Sequence, residues 1–207
     1  MVDESVSKIG KEGISEHNNQ ARQKKRRKAL ETKLSIIEAG IKLFYEKGFT
    51  KTKISDITEK ANVAHGTFYV YFKSKEDFFI SILTMSRKEL LENAEEAIKF
   101  AKAGKIKEAK KKFFIDGFSK MLEKSKLFGV LLFEGMCTDD RFKQFYKEGR
   151  LIFLNKTKEV LSLCGIKEDY KAHMLLGLSK HLLEIYIFTE ENPKPIWEKA
   201  LKELGVL

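Results

Sequence analysis

Apolar residues along this chain recur at spacings of three and four, the period of a helix with one buried face. Leu30, Leu34, Ile37, Ile41 and Phe44 mark the first such face, and Gly48 is placed to stop that helix. Ile54, Ile57 and Ala61 predict a short second helix with Thr52 as its N-cap. Asn62 follows, a residue that tolerates a left-handed turn, and a third helix is expected from about His65 to Phe72. Ser74, with Asp77 three residues on, predicts a capped start to a long fourth helix. Further helices are expected near 76–101, 105–124, 126–137, 139–164, 168–191 and 194–204, with breaks at Gly104, Gly165 and Asn192-Pro193. The only prolines are Pro193 and Pro195, and no run combines strict alternation with β-branched and aromatic residues, so the expected class is all-α.

Charge separates one segment from the rest. Residues 21–75 carry a net +9 of the chain's +10, whereas residues 1–20 carry −2 and residues 76–207 carry +3. Positive charge concentrated in one short module suits a polyanion partner, nucleic acid or an anionic membrane surface. Residues 1–22 are polar, which predicts a disordered arm, and the basic run Arg22–Lys28 that follows reads either as a solvated helix start or as an arm on phosphates. No apolar h-region or membrane-length apolar stretch is found, so a cytoplasmic setting without membrane association is expected. Cys137 and Cys164 are too few for a disulfide framework and are expected in the core.

Three helices with a tight turn between the second and third, inside the basic segment, describe a helix-turn-helix. The third opens on His65, Gly66 and Thr67. A recognition helix must bring its N-terminal end close to base edges, and a glycine there removes the side chain that would hold it away. Residues 33–80 resemble the DNA-binding domain of the TetR family of helix-turn-helix transcriptional repressors. The similarity rests on Phe44…Gly48-Phe49…Thr52…Ile54…Ile57, on Ala61…Val63, and on Gly66-Thr67-Phe68-Tyr69…Tyr71-Phe72-Lys73…Lys75-Glu76. Two positions depart from the family's habit: Asn62 replaces the usual turn glycine, and Ala64 replaces Ser or Thr as N-cap of the third helix. A minority of the family, including some acyl-CoA-responsive repressors, similarly reads Val-Ala-x-Gly-Thr here.

The resemblance implies roles residue by residue. Thr52 would cap the second helix and touch a phosphate, with Lys53 beside it. His65, Gly66 and Thr67 would face the major groove. Tyr69 and Tyr71 would place hydroxyls at the DNA backbone, and Lys73 and Lys75 would pair with phosphates. Phe68 and Phe72 alternate with that polar face and are expected in the core. The implied organisation is a disordered arm over 1–22, a helix-turn-helix domain over 23–75, and a helical ligand-binding and dimerisation domain over 76–207.

Ten of the sixteen phenylalanines lie beyond residue 80, more than a thin core needs. Family resemblance favours an internal cavity for a small apolar or amphipathic inducer, with Phe100, Phe114, Phe118, Met121, Phe133, Glu134 and Cys137 as candidate lining residues. A cationic ligand would use Glu134 beside aromatics, and an acyl-CoA would need basic groups at the pocket mouth. The helices over 139–164 and 168–191 would pair across a two-fold axis to make a homodimer on a palindromic, double-stranded operator. His173 and His181 share a helical face without the further ligands a metal needs, so neither a metal nor a cofactor is expected. No P-loop, GxGxxG, GxSxG or HExxH motif is present, and no catalytic residue is assigned. The competing readings are a basic helical protein of membrane surfaces, without DNA specificity, and an enzyme of unrecognised type.

Overall fold

The computed structural model describes the backbone from Glu4 to Leu207, and side chains at Asn19, Gln20 and 22–207. The order is α1 (Glu4–Lys51), α2 (Ile54–Lys60), α3 (His65–Tyr71), α4 (Lys75–Lys102), α5 (Ile106–Lys110), a π-helical segment π1 (Lys111–Asp116), α6 (Gly117–Glu123), α7 (Ser125–Val130), a second π segment π2 (Leu131–Gly135), α8 (Met136–Thr138), α9 (Asp140–Leu163), α10 (Asp169–Thr189) and α11 (Lys194–Glu203). No strand occurs among the described residues. The all-helical reading therefore holds.

Where polar composition predicts a disordered arm over 1–22, the structure carries α1 back to Glu4. Asn19, Gln20 and 22–31 are exposed. Packing begins at Ile36 and Ile37, where the apolar stripe meets α2 and α4. Gly48 stops the regular helix at φ 78°, inside the left-handed region that glycine enters without penalty.

The first core is built on phenylalanine. Phe44, Phe49 and Phe79 pack with centroids 4.9–5.6 Å apart, in the range favoured by tilted aromatic pairs. Phe68, Phe72 and Phe78 continue that core toward α3. Phe142 of α9 enters it too, at 5.4 Å from both Phe49 and Phe79. Leu127 and Leu131 also belong to it, so helices 1–3 share one apolar core with the body. A second core, around Phe114, Phe118, Leu175, Leu183 and Trp197, fills the body.

Long helix α4 joins the two cores. Phe78, Phe79, Ile82 and Leu83 of its first turns lie in the first core, and Ile98 near its other end lies in the second. Ser74 caps it as the spacing predicts, its hydroxyl accepting from Asp77 N at 3.1 Å. Asp77 answers one residue earlier than in a strict capping box, accepting from Lys73 N at 3.1 Å. No described helix is long and apolar enough to cross a membrane.

Candidate nucleic-acid interface and apolar cavity

Helices α2 and α3 meet through a turn in which Asn62 takes φ 53°, the conformation its side chain tolerates. Helix α3 then lies with Phe68 fully buried and the opposite side open. Ala64, His65, Gly66, Tyr69, Val70 and Lys73 are exposed, and Thr67 is half-buried. A Cβ added at Gly66 would meet no atom within 4 Å. The start of α3 is therefore a clear surface, able to approach a base edge closely. His65 and Tyr69 stand edge to face at 5.6 Å and form one ridge on that surface. Ala64 supplies no side-chain cap, which leaves the first backbone N–H groups of α3 available to solvent or a phosphate. Val70 is 76% exposed, an apolar side chain on the same face that sequence reasoning missed. Such a side chain suits contact with a thymine methyl group. Its helical position beside Tyr69 was the available signal.

Three residues expected at phosphates are engaged elsewhere. Thr52 is 1% exposed and does not cap α2, whose N-cap is Lys53. Its hydroxyl donates to Gly48 O at 2.6 Å, closing the end of α1 instead. Asp56 satisfies the α2 start by accepting from Lys53 N at 3.2 Å and pairs with Lys47 at 3.1 Å. The Lys47 hydrogen bond, followed by the Lys53 N–H, holds the Asp56 carboxyl below its ordinary range. Tyr71 donates its hydroxyl to Ala29 O at 3.0 Å and so ties α3 to α1.

Lys75 departs furthest from expectation. Its Nζ donates to Phe49 O at 2.8 Å, Thr52 O at 3.0 Å and Thr50 O at 3.4 Å, and lies 4.4 Å from the Phe49 ring centre. The ammonium thus closes the carbonyl end of α1, where positive charge is favoured. Burial pushes its pKa down, opposed by Glu76 and then Glu134. Lys53 and Lys73, by contrast, are exposed to solvent.

Glu134 is likewise relocated. It lies on π2 with Oε2 accepting from Thr50 N at 2.9 Å, and its carboxylate covers Gly48. It joins the body to the helix-turn-helix and lies outside the cavity, so it cannot serve a cationic ligand there. Phe133 is 46% exposed and packs on Phe188 at 5.0 Å, and Cys137 is exposed rather than in the core. Phe100 is half-buried near the end of α4, where its carbonyl accepts from Lys105 N. These four candidates do not line the cavity. Cys164 is half-buried, and burial pushes its thiol pKa up.

Phe114, Phe118 and Met121 do line the cavity. The cavity has a volume of about 210 Å³, above the roughly 150 Å³ at which an apolar cavity stays dry and takes up benzene. Trp197, the sole tryptophan, closes one side, stacked on Phe118 at 4.7 Å and donating Nε1–H to Phe114 O at 2.7 Å. Leu90 and Ala94 come from α4, and Phe145, Phe153 and Thr157 from α9. Both π segments contribute, π1 with Phe113 and Phe114 and π2 with Leu131 and Leu132. Such wide turns are rare and recur at functional sites. The α9 residues were findable from the spacing of Tyr146, Gly149, Phe153 and Thr157, one face of one helix.

Comparison with known proteins agrees with this geometry. Residues 36–82 match the family described as "Bacterial regulatory proteins, tetR family". Residues 36–82 thus carry a TetR-family DNA-binding region. The fatty acid metabolism regulator protein of Bacillus subtilis (strain 168) is 39% identical over 66 residues, 32% of this chain and 34% of that protein. The match with this first curated relative thus spans about a third of its length, in keeping with a resemblance concentrated in the DNA-binding part. Solved structures extend the likeness over the body. A transcriptional regulator from Aquifex aeolicus VF5 shares 26% identity at a TM-score of 0.67, covering 83% of this chain and 96% of that one. The transcriptional regulator FadR from Bacillus subtilis, solved in complex with stearoyl-CoA, shares 25% identity at a TM-score of 0.64, covering 82% and 95%. These TetR-family relatives are regulators, not enzymes.

Proposed function

We propose that the protein is a ligand-responsive repressor: a homodimer that holds a palindromic operator through α3 and releases it when a small apolar or amphipathic molecule fills the cavity. One observation carries the reading. The open face of α3 and the apolar cavity are separate sites, and the same elements serve both. Helix α4 begins beside α3 at Lys75 and lines the cavity with Leu90 and Ala94. Segment π2 lines the cavity with Leu131 and Leu132 and bonds to Thr50 through Glu134. A ligand that shifts either element changes how the helix-turn-helix sits on the body, and so the spacing of two recognition helices. His65, Gly66 and Thr67, with Tyr69, are the proposed groove residues, and Lys53 and Lys73 the proposed phosphate contacts. The stearoyl-CoA complex of one relative, and the name of another, support an acyl chain as the apolar part of the ligand.

Homodimerisation through α9 and α10 has its own support. Tyr170, Met174, Gly177, His181 and Phe188 form an exposed stripe along α10, and Leu151 is 59% exposed on α9. Leu175, Leu182 and Leu183 are buried within the chain's own core and do not serve that face. Met174→Glu is therefore the informative change. Sedimentation of the unaltered protein should show a dimer without DNA, and the variant should be a folded monomer with weakened operator binding. An unaltered protein that is monomeric at micromolar concentration contradicts the two-fold arrangement.

The direct test of the function is selection of bound duplexes from a random pool, followed by titration. A palindromic consensus bound by the parent and lost by Gly66→Leu is expected. Duplex binding without sequence preference, matched by equal binding to anionic vesicles, would favour the membrane-surface reading instead.

A further inference from the structure

The cavity is apolar but its charged lining is of one sign. Arg87, Arg150 and Lys180 are the charged residues that border it, and no carboxylate does. Lys180 is compensated by Glu184 at 3.3 Å. Arg87 and Arg150 have no acidic partner within ion-pair distance among the described residues. Arg87 is held in place from α4 across to α9, its guanidinium stacked 3.9 Å above the Phe145 ring and Nη1 donating to Phe145 O at 3.4 Å. Gly149 lies beneath it, so that even a methyl group there would stand 3.7 Å from Nη1. Arg150 is the next residue, exposed on the same stretch of α9. A guanidinium fixed flat on an aromatic ring keeps its outer N–H groups free, and such a fork matches carboxylate and phosphate oxygens.

From this arrangement we infer that the ligand is an amphipathic anion, its chain against Phe118 and Trp197 and its anionic head on Arg87, with Arg150 reaching any further negative groups. The inference rests on the cavity being the ligand site. It adds a sign and an orientation: the head lies between α4 and α9, so binding draws together the helix that starts at the DNA-binding domain and the helix proposed at the dimer face. A neutral or cationic amphiphile of the same length leaves Arg87 unsatisfied and binds less well.

The experiment uses the full chain and the emission of Trp197, which lines the cavity and has no other tryptophan to confuse it. Decanoate, decanoyl-CoA, decanol and decylamine are titrated separately. Decanoate or decanoyl-CoA should bind about tenfold or more tightly than decanol, as suits a charge-assisted pair that is only partly buried, and decylamine more weakly still. Decanoyl-CoA binding more tightly than decanoate identifies a head with phosphates and should depend on Arg150. The reverse order identifies a free carboxylate. Arg87→Met should bring the anions down to the affinity of decanol and leave decanol itself unchanged. Arg150→Gln, a surface change without consequence for folding, should reduce decanoyl-CoA binding alone, and salt should weaken the anions but not decanol. Equal binding of decanoate, decanoyl-CoA and decanol by the parent overturns the anion subsite while the cavity reading stands. A Trp197 signal that none of the four ligands moves overturns the cavity reading itself.

Discussion

Glu134 Oε2 accepts the backbone N–H of Thr50 at 2.9 Å, joining residues 84 positions apart in the chain. The contact lies where three elements converge: the end of α1, the start of α4 through Lys75, and π2 of the body. Glu134→Ala should cost about 1 kcal/mol of stability, the usual worth of one hydrogen bond, as read by urea denaturation. Glu134→Gln, which keeps an acceptor, should cost less. The alanine variant should still bind ligand at Trp197 yet transmit less of it to the operator. Full transmission by the alanine variant would remove this contact from the proposed route.

Gly48 sits under the same carboxylate with φ 78°. Gly48→Ala faces both a backbone penalty of about 1 kcal/mol or more and a clash with Glu134 that must be relieved by moving it. Thermal unfolding should show a loss larger than that of Glu134→Ala, and the double variant should lose less than the sum of the two. Strict additivity would mean that the glycine and the carboxylate do not share a site.

Lys75→Met tests what its three carbonyl partners are for. Removing the ammonium leaves the end of α1 uncapped, and stability should fall by about 1–2 kcal/mol. The salt dependence of duplex binding should keep its slope, because the ammonium is already engaged. Lys73→Met should do the opposite, lowering the slope by about one unit per half-site contact while leaving stability near its starting value. A slope change at Lys75 and none at Lys73 would restore the phosphate role that the family resemblance implies for Lys75.

Asp56 gives a pH signature. Its carboxyl is held below the ordinary value of 3.8 by Lys47 first and Lys53 N next. A depressed folded-state pKa means that the contribution is complete above the unfolded-state value and is lost as pH falls through the folded one. Asp56→Asn should therefore lower stability at neutral pH and flatten the decline below pH 3.8. An identical acid profile for the two proteins would show that the carboxylate is not linked to folding.

Local features of this fold were legible because local rules made them. The stripe from Ile37 to Phe44, the Ser74 cap, the Asn62 turn and the bare Gly66 surface all follow from neighbours within a few residues. Phe118 and Met121, three apart on α6, share one helix face toward the cavity. Misplaced residues have distant partners. Tyr71 bonds to α1 42 residues away, Lys75 to the α1 end 26 residues away, and Glu134 to Thr50 at 84. No spacing rule reaches that far. Phe133 and Cys137 fail for a different reason. They lie on or just beyond a π segment, whose wider turn breaks the 3.6-residue phase that assigns residues to a face. Thr52 was read as a cap on residue type alone, although a threonine one position before the true cap can turn its hydroxyl back to the helix it leaves.

Linkage between the cavity and α3 is the claim on which the rest depends, and one titration measures it. Affinity for the selected palindromic duplex is recorded against rising decanoyl-CoA, and ligand affinity at Trp197 is recorded with and without that duplex. Saturating ligand should weaken the operator by about 5- to 150-fold, and the duplex should weaken the ligand by the same factor, as reciprocity requires. Ligand that binds at Trp197 and leaves operator affinity unchanged would contradict the account.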